Sequence, residues 1–255
     1  MVHARFATIS TAAALLVVLN GSASAQSRAG SAKPTWFTLS VSGGVQGGAS
    51  SLSEHFSFDK DLETETVAVD YPTKAGALVD VGAAVRVWKN VGLGVAVSRV
   101  TGNGAADIDA SVPHPFQFNQ PRTIAGTESG IVHAETGVHL QVQYLVPTST
   151  RPQVVLSAGP SWLNVEQEAV TDVIVSQSYP YDTAAFGGAM TKILKASAQG
   201  FHAGFDVKWM FSRSLGVGGL VRYTRADVDL DVAPGRTLAI KAGGVQAGGG
   251  LRVLF

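Results

Sequence analysis

His133, Glu135 and His139 stand two and four residues apart on a segment that alternates apolar and polar residues, so all three side chains leave one face. A histidine beside a carboxylate is the base-and-orienter half of a hydrolase triad. Serines are spread along the whole chain, so finding one to complete the triad carries no information. The pair is expected to be structural, and no catalytic residue is assigned. A larger set shares the same polar parity: Asp80, Glu135 and Asp206 against Arg86, Lys208, Arg222 and Arg252, with His139 and His202 nearby. Acids and bases crowded on one face are expected to pair into a single charged network, because leaving a charge unpaired in a confined interior is costly.

Other constellations are weaker. Asp107 and Asp109, and Asp227, Asp229 and Asp231, alternate along segments and would suit calcium, but they lack the EF-hand spacing and its glycine. They are expected to solubilise, and no metal site follows. No phosphate-cradling or dinucleotide motif is present, so no cofactor is expected. The stretch Val112 to Arg122 holds Pro113, Pro115 and Pro121 around Phe116 and Phe118, and Tyr179 and Tyr181 flank Pro180. These aromatics either pack as a lid or form an exposed recognition surface for an outside ligand.

The elements that carry these residues have period two. The last strand reads Ala239, Lys241, Gly243, Val245, Ala247, Gly249, Leu251, Val253 and Phe255 on one face, with Gln246 and Arg252 on the other. The same alternation opens at Trp36 and recurs from Ala77, Val91, Val132, Gln153, Phe201 and Val217, which makes eight strands in four hairpins. Trp88-Lys89-Asn90, Pro147 to Pro152 and Ser212-Arg213-Ser214 are short turns. Gly47 to Lys74, the segment after Val112, and Val170 to Lys192 read as long loops. The fifth strand, ending near Glu168, is the least regular and contains Pro160.

Across strands one to four and six to eight the apolar parity holds no charge in its spanning part, while the acids and bases sit on the other. An apolar outside with a charged inside inverts a soluble barrel, and a bilayer enforces it: a lipid-facing Arg or Lys at the midplane costs about 2–4 kcal/mol. Lys241, Arg99 and Arg225 have outward parity but lie far enough along their strands to reach the outer interface, since about 9–11 residues span. Trp36, Tyr144, Trp209, Phe211 and Phe255 fall at the opposite interface, where an aromatic girdle is expected. The expected fold is all-β, an eight-stranded antiparallel transmembrane β-barrel.

Composition agrees. The formal net charge is zero, so no basic face invites nucleic acid, and the absence of cysteine removes disulfides, thiolate nucleophiles and thiolate metal sites. His3 and Arg5, the apolar run Ala12 to Leu19 and Ala23-Ser24-Ala25 form a secretory signal. The expected organisation is a cleavable signal at 1–25, a disordered lead at 26–35 and a barrel over 36–255.

The terminal text Gly248-Gly249-Gly250-Leu251-Arg252-Val253-Leu254-Phe255 resembles the signal read by the barrel-assembly machinery, with Gly250, Val253 and Phe255 matching and Gly248 standing where a polar residue is usual. Over Trp36 to Phe255 the chain resembles the bacterial outer-membrane β-barrel domain family, the small eight-stranded barrels typified by the OmpA transmembrane domain and OmpX. That resemblance implies residence in the cell outer membrane, with outer-membrane lipid and the assembly machinery as partners. It does not carry the local context of the lipid A deacylase or palmitoyltransferase barrels. Eight strands leave an interior just wide enough for side chains, so a plugged lumen is expected. The function expected is non-enzymatic, structural or surface-interacting. A narrow ion or small-solute channel and a lipid-acting enzyme are the alternatives.

Overall fold

In a computed structural model the described residues are 37–48, 52–72, 75–148, 152–233 and 236–255. The signal at 1–25, the lead at 26–35 and Trp36 lie outside them. Ten strands follow: β1 (Phe37–Gly48), β2 (Leu52–Lys60), β3 (Glu63–Tyr71), β4 (Gly76–Trp88), β5 (Val91–Val112), β6 (Arg122–Leu145), β7 (Gln153–Gln177), β8 (Ala184–Met210), β9 (Leu215–Ala233) and β10 (Arg236–Leu254). Eight of them close a ring through antiparallel pairings that run β1–β4–β5–β6–β7–β8–β9–β10 and back to β1. Closure leaves no free edge in this part of the sheet.

The seam between first and last strand is tight. Ser42 faces Gly250 and Gly44 faces Gly248 across it. A Cβ on Gly250 would lie 1.9 Å from the Val41 carbonyl oxygen, so only glycine allows that approach. At the same end the Phe37 and Phe255 rings meet at 5.9 Å, and the turns after β4, β6 and β8 are short.

At the opposite end the strands outrun the ring, which corrects three loops expected from the sequence. The expected loop Gly47 to Lys74 folds largely as the β2–β3 hairpin, whose Thr66 to Asp70 pairs with Asp107 to Ser111 of β5. The expected loop Val170 to Lys192 is mostly the upper part of β7 and β8. The fourth predicted strand begins at Arg122 rather than Val132. Alternation continues in all three stretches, but the apolar residues move to the inward parity. Val67, Val69, Ile108, Ala110, Ile124, Val170 and Val173 are buried in one cluster. Val165, Leu194, Val228, Leu230, Leu238 and Ile240 are buried in a second. Asp227, Asp229 and Asp231 face outward on the same strands. Above the ring the chain is therefore an ordinary water-soluble head with a dry core.

The irregular fifth predicted strand has a local cause. Along β6 and β7 the pairing runs to His139 opposite Ser161 and resumes at Val142 opposite Ala158. Pro160 has no N–H to give to that ladder, yet it still faces Phe201 on the β8 side.

Candidate functional site

The ring aims its polar face inward, and side chains from six strands join there into one hydrogen-bonded rope. Arg222 donates from Nη2 to Asp80 Oδ2 at 2.5 Å and from Nε to Gln246 Oε1 at 2.7 Å. Gln246 Nε2 donates to Gln46 Oε1 at 2.6 Å, and Gln46 Nε2 donates to Glu135 Oε2 at 2.8 Å. Both glutamines point the same way, carrying donor polarity from a guanidinium cation toward a carboxylate. All five side chains are buried, where charge-assisted hydrogen bonds are strongest.

Glu135 is the upper knot. It also accepts the backbone N–H of Gly243, 3.1 Å from each carboxylate oxygen. Gly243 holds φ at +95°, and a Cβ there would lie 2.2 Å from the Thr224 carbonyl oxygen, so the inward-turned amide requires glycine. His133 completes the knot, with Nε2 3.0 Å from Glu135 Oε1 and Nδ1 2.7 Å from Gln167 Oε1. The Gln167 amide is oriented by its own Nε2 donating to the Glu168 carbonyl at 2.8 Å. Both imidazole nitrogens therefore face acceptors, a geometry that suits the imidazolium. Burial pulls the His133 pKa down, but the hydrogen bond and charge of Glu135, helped by Gln167, outweigh it and hold it above the ordinary value.

Two smaller clusters fill the rest. Arg252 donates to both carboxylate oxygens of Asp206, with Nε 3.0 Å from Oδ2, and to Ser42 Oγ at 2.8 Å. His139 lies between Ser98 and Ser161 at 2.8 Å from each, and Ser161 Oγ is 2.9 Å from His202 Nδ1.

The inward charges do not form the single network expected. Asp80, Arg222 and Glu135 are joined, Asp206 and Arg252 form a separate pair, and His139 and His202 are linked through serines instead. Arg86 donates one hydrogen bond, to the Lys89 carbonyl, and Lys208 makes none among the described residues. Neither enters an ion pair among the described residues. Gln46, Gln246, Ser98, Ser161 and Gln167 are structural partners that charge counting passes over, although Gln46 and Gln246 stand on the polar parity of the first and last strands. The interior holds recesses of about 110, 40 and 100 Å³. The first lies where the rope meets the head, lined by Tyr71, Ile131, His133, Glu135, Gln167 and Ile240 among others.

At the far tip Phe116 and Tyr181 rings sit 5.5 Å apart and Tyr179 and Tyr181 6.1 Å apart. No ring contact joins Phe118 to them among the described residues. The tip is held from below by Arg122, which donates to Gln177, Pro113 and Tyr181, and by His114, whose Nδ1 accepts the N–H groups of Phe116 and Gln117.

Outside the ring the picture inverts. Val41, Val79, Val142 and Leu251 are each more than half exposed, within a continuous belt of bare Val, Leu and Phe. Exposed Trp88, Trp209, Phe211 and Phe255 border it on the turn side. Arg99, Lys241 and the outward aspartates of β9 border it on the head side. A closed belt of that composition is a lipid contact. The chain is an outer-membrane-type β-barrel. Among solved structures it is similar to outer membrane protein OprG from Pseudomonas aeruginosa, with 9% identity and TM-score 0.49, covering 87% of this chain and 96% of that one. Neisserial surface protein A gives 12% identity and TM-score 0.45 over 86% and 97%. The outer membrane protease OmpT from Escherichia coli gives 9% and 0.44 over 87% and 97%. No family model matches the chain, and no curated protein matches it in sequence. The strand ring and its belt, rather than these likenesses, establish the fold.

Proposed function

We propose that the protein is a closed, non-enzymatic barrel of the bacterial outer membrane whose working part is its head. The signal at 1–25 would export it. Gly250, Val253 and Phe255 would present it to the barrel-assembly machinery, and the short turns would face the periplasm, as in barrels of this type. The observation that carries this reading is the filled interior: the Asp80–Arg222–Gln246–Gln46–Glu135–His133 rope occupies the lumen, and the two apolar clusters stack above it. A wet pore would need those buried groups to give up their partners.

The commitment of His133 supports the non-enzymatic side. His133 is the histidine best placed beside a cavity, but both its nitrogens are committed, so no lone pair is left to take a proton from a nucleophile. The surface role rests on the tip, where Phe116 and Tyr179 are 73% and 83% exposed on a scaffold pinned by Arg122 and His114. Exposed rings on a rigid support suit recognition of an outside ligand. Single-channel recording of the refolded protein tests the reading, and steady discrete openings would replace it with a narrow channel.

A further inference from the structure

Two lumen cations are left over. With His133 as imidazolium, charge cancels along Asp80–Arg222, Asp206–Arg252 and Glu135–His133. Among the described residues Arg86 enters no ion pair, and the acid nearest Lys208, Asp206, is already paired with Arg252. Lys208 is only 8% exposed, yet it makes no hydrogen bond or ion pair among the described residues. Arg86 uses one N–H on the Lys89 carbonyl, so most of its five donors are unspent. A buried ammonium without a partner is costly, and an interior that tolerates one commonly supplies a counter-ion.

Both side chains line the same recess of about 100 Å³ at the turn end of the barrel. Thr38, Asn90, Gln143 and Gln153 share its wall, and none of their side chains has a hydrogen bond within the described protein. No carboxylate lines it. The nearest acid along the strand, Asp206, lines a deeper recess that shares Lys208, Thr38 and Gln143 with this one, and there it is bonded to Arg252. The turn-end recess thus offers two cations and four neutral polar groups, with no carboxylate of the described residues in its lining.

We propose that this recess binds a phosphate-type oxyanion, held by the Lys208 ammonium and the free edge of the Arg86 guanidinium. Guanidinium matches two oxygens of a tetrahedral anion in one plane, and ammonium meets a third as a point charge. Thr38, Asn90, Gln143 and Gln153 supply neutral donors. The oxyanion can be free inorganic phosphate or the phosphodiester of an anionic lipid headgroup reaching in from the adjacent leaflet. The chemistry is shared, and only the source differs.

The test is calorimetric titration of the full-length refolded barrel with inorganic phosphate, in a phosphate-free sugar detergent at low salt. Saturable binding that weakens about tenfold or more in Lys208→Met and in Arg86→Gln is expected, the loss of one charge-assisted contact each. Arg86 is only partly buried, so its variant serves even if Lys208→Met folds poorly, and a heat-modifiability gel shows that each barrel is intact. Adding a short-chain phosphatidylglycerol then separates the sources. Displacement of phosphate assigns the site to lipid headgroups, and phosphate binding unaffected by the lipid assigns it to the free ion. No phosphate or lipid binding by the intact wild type overturns the proposal, as does equal binding by an intact Arg86→Gln barrel.

Discussion

At the scale of single residues, the interior is governed by what happens when one partner of a buried charge is removed. Arg222 is bonded to Asp80 and Gln246, and both ends of the ion pair are buried. Arg222→Met should therefore cost about 3–5 kcal/mol, because Asp80 stays buried without its cation. Adding Asp80→Leu should recover most of that loss in detergent-based urea unfolding, and no recovery would show that the pair is not the relevant coupling. His133 adds a pH dependence. Its pKa is raised in the folded chain above the roughly 6.5 of the free side chain. Its contribution is thus fully present below about pH 6.5 and fades as pH rises through the folded value. The difference in unfolding midpoint between wild type and His133→Gln should shrink from pH 5 to pH 9. A difference that grows with pH would mean the imidazole is held neutral. Much of this was visible in the sequence as parity: Asp80, Glu135, Arg222 and Arg252 all stand on the polar face. The partition was not, because pairing depends on height along neighbouring strands and on glutamines whose amides carry no charge to count.

At the scale of elements, the head depends on contacts between hairpins that touch only above the ring. Arg236, at the start of β10, donates to Glu54 of β2 at 2.6 Å and to the Val170 carbonyl of β7 at 3.0 Å, and its guanidinium lies 3.4 Å from the Phe56 ring centre. Tyr71 of β3 accepts the Val170 N–H at 2.9 Å, and burial pushes its hydroxyl pKa up to about 12. Arg236→Ala should loosen the β2–β3 hairpin by roughly tenfold or more, the value of a charge-assisted hydrogen bond. Limited proteolysis should cut near Asp61 and Leu62 while the ring keeps its heat-modifiable mobility. Cleavage at the wild-type rate would contradict the role given to Arg236. The ring strands were legible in sequence because lipid makes their outer face uniformly apolar. The head strands were not. There Phe56, Val67, Val69 and Val228 turn inward while Asp70, Asp227 and Asp229 face water, so acid-rich text that reads as loop is a strand with its faces exchanged. The Pro160 irregularity was legible as a disturbance, but the sequence did not say that one ladder of β7 would survive it.

At the scale of the whole molecule, one polypeptide passes through two solvents. Its lower part hides charge from lipid and its upper part hides hydrocarbon from water. Glu135 and Gly243 sit where the two regimes meet, below a cavity of about 110 Å³ that draws lining from both. On the proposed function this arrangement closes the barrel, so that the tip aromatics rather than a pore do the work. Single-channel recording of the refolded protein in planar bilayers tests it most directly, with heat-modifiability proving that the inserted species is a closed ring. A plugged lumen should leave the wild type silent. Openings are expected in a Gln46→Ala, Glu135→Ala double variant, in which the rope is cut at its upper knot. Steady openings in the wild type whose ion selectivity shifts on Arg86→Gln would contradict a plugged lumen.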